Sequence, residues 1–340
     1  MKKILSLLFF LFIACTFLSA DEILLKNAGI GGDSSVQALE RVYSDVIDYQ
    51  PDCVIMAFGM NDVNFCRIPI EKYKENYLKL IKILRSKGVK HLVIMTTNPV
   101  IDEEVKARTK KELWRPEGVN FYINKYNAVV HELAKTQNLT LFDLHKFIQD
   151  NGGAVKTKKS FVRNPANKGY KDGVHLTAAG YKAIAKALAP LIRKLGAKRI
   201  VCFGDSITYG ANLRGGGLLT GDNYPAFLWQ ELNPALVTFG SKPSNMKSET
   251  DPTGRNLIRN SSFEVCDADN RPIAWVLWKK NKDKAEYISD GTAPDGKGHV
   301  RLTGSAKSNL QSDWQYMKKP IRKCSKLQLC SRLIPGRILR

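Results

Sequence analysis

Short aliphatic runs alternate with longer amphipathic stretches between residues 23 and 203. Residues 23–27, 52–58, 91–97, 139–143 and 199–203 are rich in aliphatic and β-branched side chains and are bounded by polar or turn residues. Such unbroken apolar runs suit strands covered on both faces of a parallel sheet. Residues 36–48, 70–86, 120–137 and 177–195 carry apolar positions at helical spacing. In the second of these, Tyr73, Tyr77, Leu80, Ile81 and Leu84 mark one face, with Lys and Glu on the other. The alternation predicts a doubly wound α/β domain. A further helix is expected over 224–232.

The pattern changes after Asn233-Pro234. Residues 241–255 are rich in Ser, Pro, Lys, Thr and Gly and read as a linker. Beyond them, strand-like pieces contain Trp275, Trp278, Tyr287 and Trp314, separated by turn signals such as Asp295-Gly296. A small β domain is the expectation there. Residues 318–340 hold eight basic residues and no acidic one, without strand alternation, and read as a disordered tail or an abnormal C-terminus.

At the other end, Lys2-Lys3 precedes an apolar run from Ile4 to Leu18, and Ser19-Ala20 follows. A positive start, a short apolar core and a small residue at the cut describe a secretory signal over residues 1–20. The run is short for a membrane span and no stop-transfer pattern follows, so a secreted or periplasmic protein is expected. Phe12-Ile13-Ala14-Cys15 supplies a lesser alternative, a lipoprotein box that would leave Cys15 lipidated.

The 340 residues carry 53 Lys+Arg against 32 Asp+Glu, a net charge of +21. That balance first suggests a nucleic-acid partner. The excess is spread evenly over the two parts of the chain on either side of residue 196, however, and no recognition motif accompanies it, so no nucleic-acid partner is expected. The cysteines show neither a disulfide framework nor zinc-ligand spacing, and Cys53 and Cys202 lie inside strand-like runs as small hydrophobes. No metal and no organic cofactor is expected.

Four segments can carry chemistry. Gly204-Asp205-Ser206-Ile207-Thr208 follows an apolar strand, so Ser206 sits at a strand's carboxyl end, where open α/β sheets build their sites. Asn27-Ala28-Gly29-Ile30-Gly31-Gly32-Asp33 follows another strand, and its glycines allow backbone N–H groups to approach a substrate. It lacks the dinucleotide-binding glycine pattern in its βαβ context. Gly59-Met60-Asn61-Asp62 follows a third strand and offers a side-chain amide. Asp172-Gly173-Val174-His175 precedes a helix, and three-residue spacing in a tight turn can bring a carboxylate to the imidazole. Each has a plain structural reading too: a turn, a glycine loop, or helix caps at Asn61-Asp62 and Asp172.

Taken together, these segments resemble the SGNH (GDSL-type) hydrolase family. IVCFGDSITYG, NAGIGGDSS, AFGMND and DGVHLTAAGY are similar to its four signature blocks, and the resemblance covers roughly residues 23–240. It implies a three-layer α/β/α fold with a five-stranded parallel sheet, and hydrolysis of acyl esters without metal or cofactor. It further implies Ser206 as nucleophile, His175 as general base and Asp172 as the group orienting it. The Ser206 N–H, the Gly32 N–H and the Asn61 amide would form the oxyanion hole.

The block order departs from the family, because the Ser206 block comes last instead of first. One reading is a circularly permuted domain over 21–240. The other is two incomplete domains in tandem. Packing favours permutation, since the family's nucleophile strand is central, and its loss would leave unpaired backbone groups in mid-sheet. A domain-swapped dimer would also complete the site. Residues 256–317, with NLIRNSSFE and PIAW near their start, resemble the opening of a carbohydrate-binding β-sandwich that is too short to close. The expected activity is therefore a secreted esterase acting on short acyl groups, chiefly acetyl, of a carbohydrate. The alternatives are a general short-chain carboxylesterase or lysophospholipase-like hydrolase, and an inactive carbohydrate-binding surface protein.

Overall fold

The computed structural model describes residues 22–64, 67–111 and 115–246, together with the backbone of four short strands between 275 and 312. Five strands form one parallel sheet: β1 (Leu24–Gly29), β2 (Cys53–Ala57), β3 (His91–Met95), β4 (Thr140–Phe142) and β5 (Arg199–Gly204). Their spatial order is β1-β5-β2-β3-β4, so the last strand of the domain lies between its first two. Phe203 is in register with Ala28 on one side and Met56 on the other.

Helices cover both faces. Ser35–Asp45, Ile70–Ser86 and Val119–Thr136 pack in succession, while Ala178–Leu195 packs on Tyr224–Leu232. The helical face anticipated in 70–86 is the buried one, with Tyr73, Tyr77, Leu80, Ile81 and Leu84 all in the core. The central strands are sealed from water, and Cys53, Val54, Ile55, Met56, Ile200, Val201, Cys202 and Phe203 are buried. This is the three-layer α/β/α arrangement. Cys53 and Cys202 are free thiols, and burial pushes the Cys53 thiol up to about 12.

The join into β5 is short and well bonded. The helix Ala178–Leu195 stops at Gly196 in the left-handed conformation. Lys198 N and Arg199 N then donate to the Asp52 carboxylate at 2.8 and 3.0 Å, and the Arg199 guanidinium caps the carbonyls of Gln50 and Tyr49. Residues after β5 return to β1. Asn233 brackets Ile23, accepting from its N–H at 2.8 Å and donating to its carbonyl at 3.1 Å, and Trp229 Nε1 donates to Glu22. Residues 199–246 are thus bonded into the same body as residues 22–195.

Several short helices were not anticipated, including Met60–Asn64, Asp102–Arg108, Leu144–Asp150 and Ser206–Tyr209. One or two turns leave too few positions for a helical period to show. The helix expected over 36–48 ends at Asp45, and the chain continues through a 3₁₀ turn, Ile47–Tyr49. In the distal part, β6 (Trp275–Trp278) pairs with β9 (Asn309–Ser312), and β7 (Lys284–Ile288) with β8 (His299–Thr303), both antiparallel. The signal segment, Cys15, the linker beyond 246, Trp314, the closure of the expected sandwich and the basic tail lie outside the described residues.

Close backbone approach sets one strict requirement. A Cβ on Gly29 would lie 2.2 Å from the Tyr209 backbone nitrogen. The turn after Ser206 can rest on β1 only because that atom is missing. Gly29→Ala should therefore destabilise the domain by about 3 kcal/mol, measurable as a lowered urea midpoint.

Candidate active site

Ser206 opens the helix Ser206–Tyr209 at the carboxyl end of β5, and the Asp205 side chain caps it by accepting from Ile207 N at 2.8 Å. The turn is tight, since a Cβ on Gly204 would meet Thr208 Oγ1 at 2.1 Å and the Ala57 carbonyl at 2.8 Å. Ser206 is 9% exposed. Its Oγ lies 3.2 Å from His175 Nε2. On the far side of the ring, His175 Nδ1 is 3.0 Å from Asp172 Oδ1 and 3.2 Å from Oδ2.

Local structure fixes that turn. Residues 161–163 run against 175–177, with Arg163 N donating to His175 O at 2.8 Å and Thr177 N to Phe161 O at 2.8 Å. Gly173 takes a positive φ of 77°, and its carbonyl accepts from Ile101 N at 2.8 Å. The Asp172 carboxylate also accepts from Val174 N and His175 N. The helix that follows is capped by Thr177, which accepts from Gly180 N, so Asp172 is free for the imidazole. Burial works to raise the Asp172 carboxyl. The hydrogen bonds and charge of His175, with the nearby Arg163 cation, outweigh it and hold the group well below the usual carboxylate range.

The other two segments converge on the same place. The glycine loop lies over the serine, for a Cβ on Gly31 would come 3.9 Å from Ser206 Cβ. Gly32 has a positive φ of 89° and faces solvent. Asn61 is buried, and its Nδ2 donates to the Asp33 carbonyl at 2.8 Å, which ties the amide to the glycine loop. Ser206 N–H and Gly32 N–H form no hydrogen bond among the described residues. Asp62 does serve as a helix cap, but for another helix: it accepts from Ser35 N at 3.0 Å and from Ser35 Oγ at 2.5 Å.

Charged residues that read as surface positions in the sequence hold this assembly from inside. Arg41 is 1% exposed and donates to Asp33 Oδ2 at 2.5 Å, to Asp45 Oδ2 at 3.0 Å, and to the carbonyls of Ala28 and Gly204 at 2.8 Å each. Its guanidinium also stands 4.5 Å from the Phe203 ring centroid. It thereby links the ends of β1 and β5 to the glycine loop. Arg163 is fully buried, with Nε 3.5 Å from Asp172 Oδ2. Its other nitrogens donate to Tyr170 Oη and to the carbonyls of Ala211 and Asn212, joining the Asp-His turn to the chain after Ser206. The sequence carried one signal of the first: Arg41 falls among the apolar positions of its helix, eight residues after Asp33 and four before Asp45.

Among the described residues, no group of three or more His, Cys, Asp or Glu side chains could hold a metal ion, and no helix is long and apolar enough to cross a membrane.

Known proteins resemble this chain over about half of its length. The model of the GDSL-like Lipase/Acylhydrolase family matches residues 16–183, a span that ends before the segment bearing Ser206. An uncharacterized lipoprotein of Bacillus subtilis, YqeF, is 28% identical over 179 residues, 48% of this chain and 71% of that protein. The Arabidopsis thaliana GDSL esterase/lipase At5g45920 is 24% identical over 191 residues, covering 52% and 74% respectively. A solved lipase/acylhydrolase from Enterococcus faecalis aligns at 22% identity and a TM-score of 0.38, over 49% of this chain and 74% of that one. The family match and the curated relatives support a GDSL-like lipase/acylhydrolase (SGNH) assignment for the matched part of the chain. Members of that family are carboxylic ester hydrolases.

Two buried carboxyls near the serine give the domain a pH signature. Burial pushes Asp205 up to about 7 and Asp62 up to about 6, against the hydrogen bonds that favour their ionised forms. The folded protein keeps protons there that the unfolded chain releases near pH 4. Their contribution to stability is complete below about pH 4 and is lost as pH rises towards about 7. Asp172 has the opposite sign: its contribution is present above about pH 4 and lost in stronger acid. Asp205→Asn, which preserves the cap acceptor, should flatten the decline of Tm between pH 4 and 7; an unchanged slope would show that Asp205 is ionised throughout.

Proposed function

We propose that the protein is an exported serine esterase that removes short acyl groups, chiefly acetyl, from carbohydrate by way of an acyl-enzyme. The observation that carries this reading is the continuous relay from Asp172 through His175 to Ser206, at 3.0 and 3.2 Å within one chain. His175 Nε2 takes the Ser206 proton as Oγ attacks the ester carbonyl, then gives it to the departing alcohol. Asp172 holds the ring with Nδ1–H towards itself and stabilises the imidazolium. Water then attacks the acyl-enzyme by the same route and frees Ser206.

The developing oxyanion would be met by the Ser206 N–H, the Gly32 N–H and the Asn61 amide. The first two have no other partner among the described residues, and the third is held by the Asp33 carbonyl. Donors fixed before the reaction need little reorganisation when charge appears. Export through the segment 1–20 accords with the lipoprotein name of the Bacillus relative, which also favours the Cys15 alternative.

A circular permutation accounts for the block order. The nucleophile strand and helix of the family stand here behind the final helix, and the join at 196–198 is stitched to Asp52. The sheet that results is complete in one chain, which argues against the tandem reading.

Ser206→Ala should abolish release of p-nitrophenol from p-nitrophenyl acetate. Asn61→Ala should lower kcat about 100- to 1,000-fold with KM little changed, the usual effect of removing one oxyanion donor. Full activity in Ser206→Ala would overturn Ser206 as the nucleophile, and a wild type without turnover would leave the inactive carbohydrate-binding reading in its place. Mixing Ser206→Ala chains with His175→Ala chains should restore nothing if the site is built within one chain; recovered turnover would identify a swapped dimer.

A further inference from the structure

The Asp172 carboxylate is shared by the imidazole and two guanidiniums. His175 Nδ1 lies 3.0 Å from Oδ1 and 3.2 Å from Oδ2, on the side of the ring away from Ser206. Arg163 Nε faces Oδ2 at 3.5 Å, and Arg108 Nη1 faces Oδ1 at 3.7 Å. Neither approach is a hydrogen bond, and Arg163 Nε has no other partner among the described residues. Both cations therefore act on the carboxylate through charge. They differ in setting. The Arg163 side chain is buried, with its outer nitrogens bound to Tyr170, Ala211 and Asn212, whereas the Arg108 side chain is 33% exposed.

Helix geometry offers Arg108 another partner, and the structure does not use it. Glu104 lies four residues earlier on the helix Asp102–Arg108, the spacing at which an acid and a cation ordinarily pair. Glu104 instead pairs with Lys156 at 3.3 Å. The helix packs on the Asp-His turn, where Ile101 N donates to the Gly173 carbonyl, and this carries Arg108 to Asp172. The remaining groups around the relay change its charge little. Lys171 is exposed beside Asp172, burial keeps the Tyr181 hydroxyl neutral and pushes Asp205 up to about 7, and Asp33 is paired with Arg41. Protonation of His175 thus adds a third cation to a cluster built on one carboxylate.

We propose that Arg108 sets the lower pH limit of the activity by acting through Asp172 on His175, as a positioning residue and not as a contact of the substrate. The inference rests on the esterase reading above. Asp172 favours the imidazolium, and a cation beside that carboxylate opposes it, so the ring stays free to accept the Ser206 proton at lower pH. Arg163 supplies the same charge but also holds the chain after Ser206. Arg108 is the one whose charge can be removed without opening the core.

The test follows kcat/KM for p-nitrophenyl acetate against pH in the wild type, Arg108→Gln and Arg108→Lys. Arg108→Gln should move the acidic limb up by about half a pH unit, the effect of one charge roughly 7 Å from the ring in largely aqueous surroundings. Arg108→Lys should restore the limb, and about 1 M salt should erase most of the difference. A limb that stays in place in Arg108→Gln overturns the proposal. So does a fall in kcat by the same factor at every pH, the mark of a structural role. If the wild type hydrolyses no ester, the esterase reading fails by itself. The imidazole C–H resonance of His175, followed by NMR against pH in the wild type and Arg108→Gln, then decides. The same half-unit displacement supports the proposal, and superimposed titrations overturn it.

Discussion

The double pairing of β5 is the constraint on which the site depends. A strand between two parallel neighbours has its backbone donors and acceptors satisfied on both edges, and β5 meets β1 on one side and β2 on the other. Its carboxyl end must then emerge between the ends of β1 and β2. Those are the strands followed by the glycine loop and by Asn61. Ser206 is therefore brought between its partners by sheet order, whatever its place in the chain. The Asp52 carboxylate secures the entry to β5 and Asn233 secures β1, so strand placement is bonded at both ends of the insertion.

Buried charge supplies the second level of organisation. Burying a guanidinium is costly unless its donors are filled. Arg41 meets that condition with two carboxylates and two strand-end carbonyls; Arg163 meets it only at its outer nitrogens, with Tyr170 and carbonyls from the segment after Ser206, while its Nε faces Asp172 at 3.5 Å without a hydrogen bond. Each connects a loop bearing one reacting group to the element bearing another. Removing either partner would leave a buried charge unmatched, so these arginines tie stability to the geometry of the site. The protonated tendency of Asp205 and Asp62 comes chiefly from burial, to which the nearby carboxylates of Asp62 and Asp33 add at Asp205.

Much of the sheet was legible along the chain. The five strands of the main sheet lie within a residue or two of the expected runs; the central strands β2, β3 and β5 are apolar past their first residues because burial on both faces leaves no position for a polar side chain, whereas the edge strand β1 carries Lys26 and Asn27. The long helices were visible from their apolar faces. Met60–Asn64 and Ser206–Tyr209 were not, because four or five residues cannot display a period. Arg41 and Arg163 were missed for a different reason. A charged residue reads as solvent-facing until its partners are known, and those partners come from elsewhere in the chain. The ambiguity at Asp172 was equally local: helix cap or imidazole partner fit the same spacing, and Thr177 took the cap.

Local pattern determined which stretches became strands and helices, and which four short segments carried chemistry. Those properties depend on neighbouring residues, so the sequence alone expresses them. Only the tertiary structure decided that Ser206 Oγ and His175 Nε2 meet at 3.2 Å, with the glycine loop over them and Asn61 tied to it. That outcome depends on the lateral order of strands, which hydrogen bonding between distant segments sets and no local pattern encodes. The same is true of Arg108. Its place beside Asp172 follows from how the helix ending at residue 108 packs on the Asp-Gly-Val-His turn, through Ile101 N and Gly173 O.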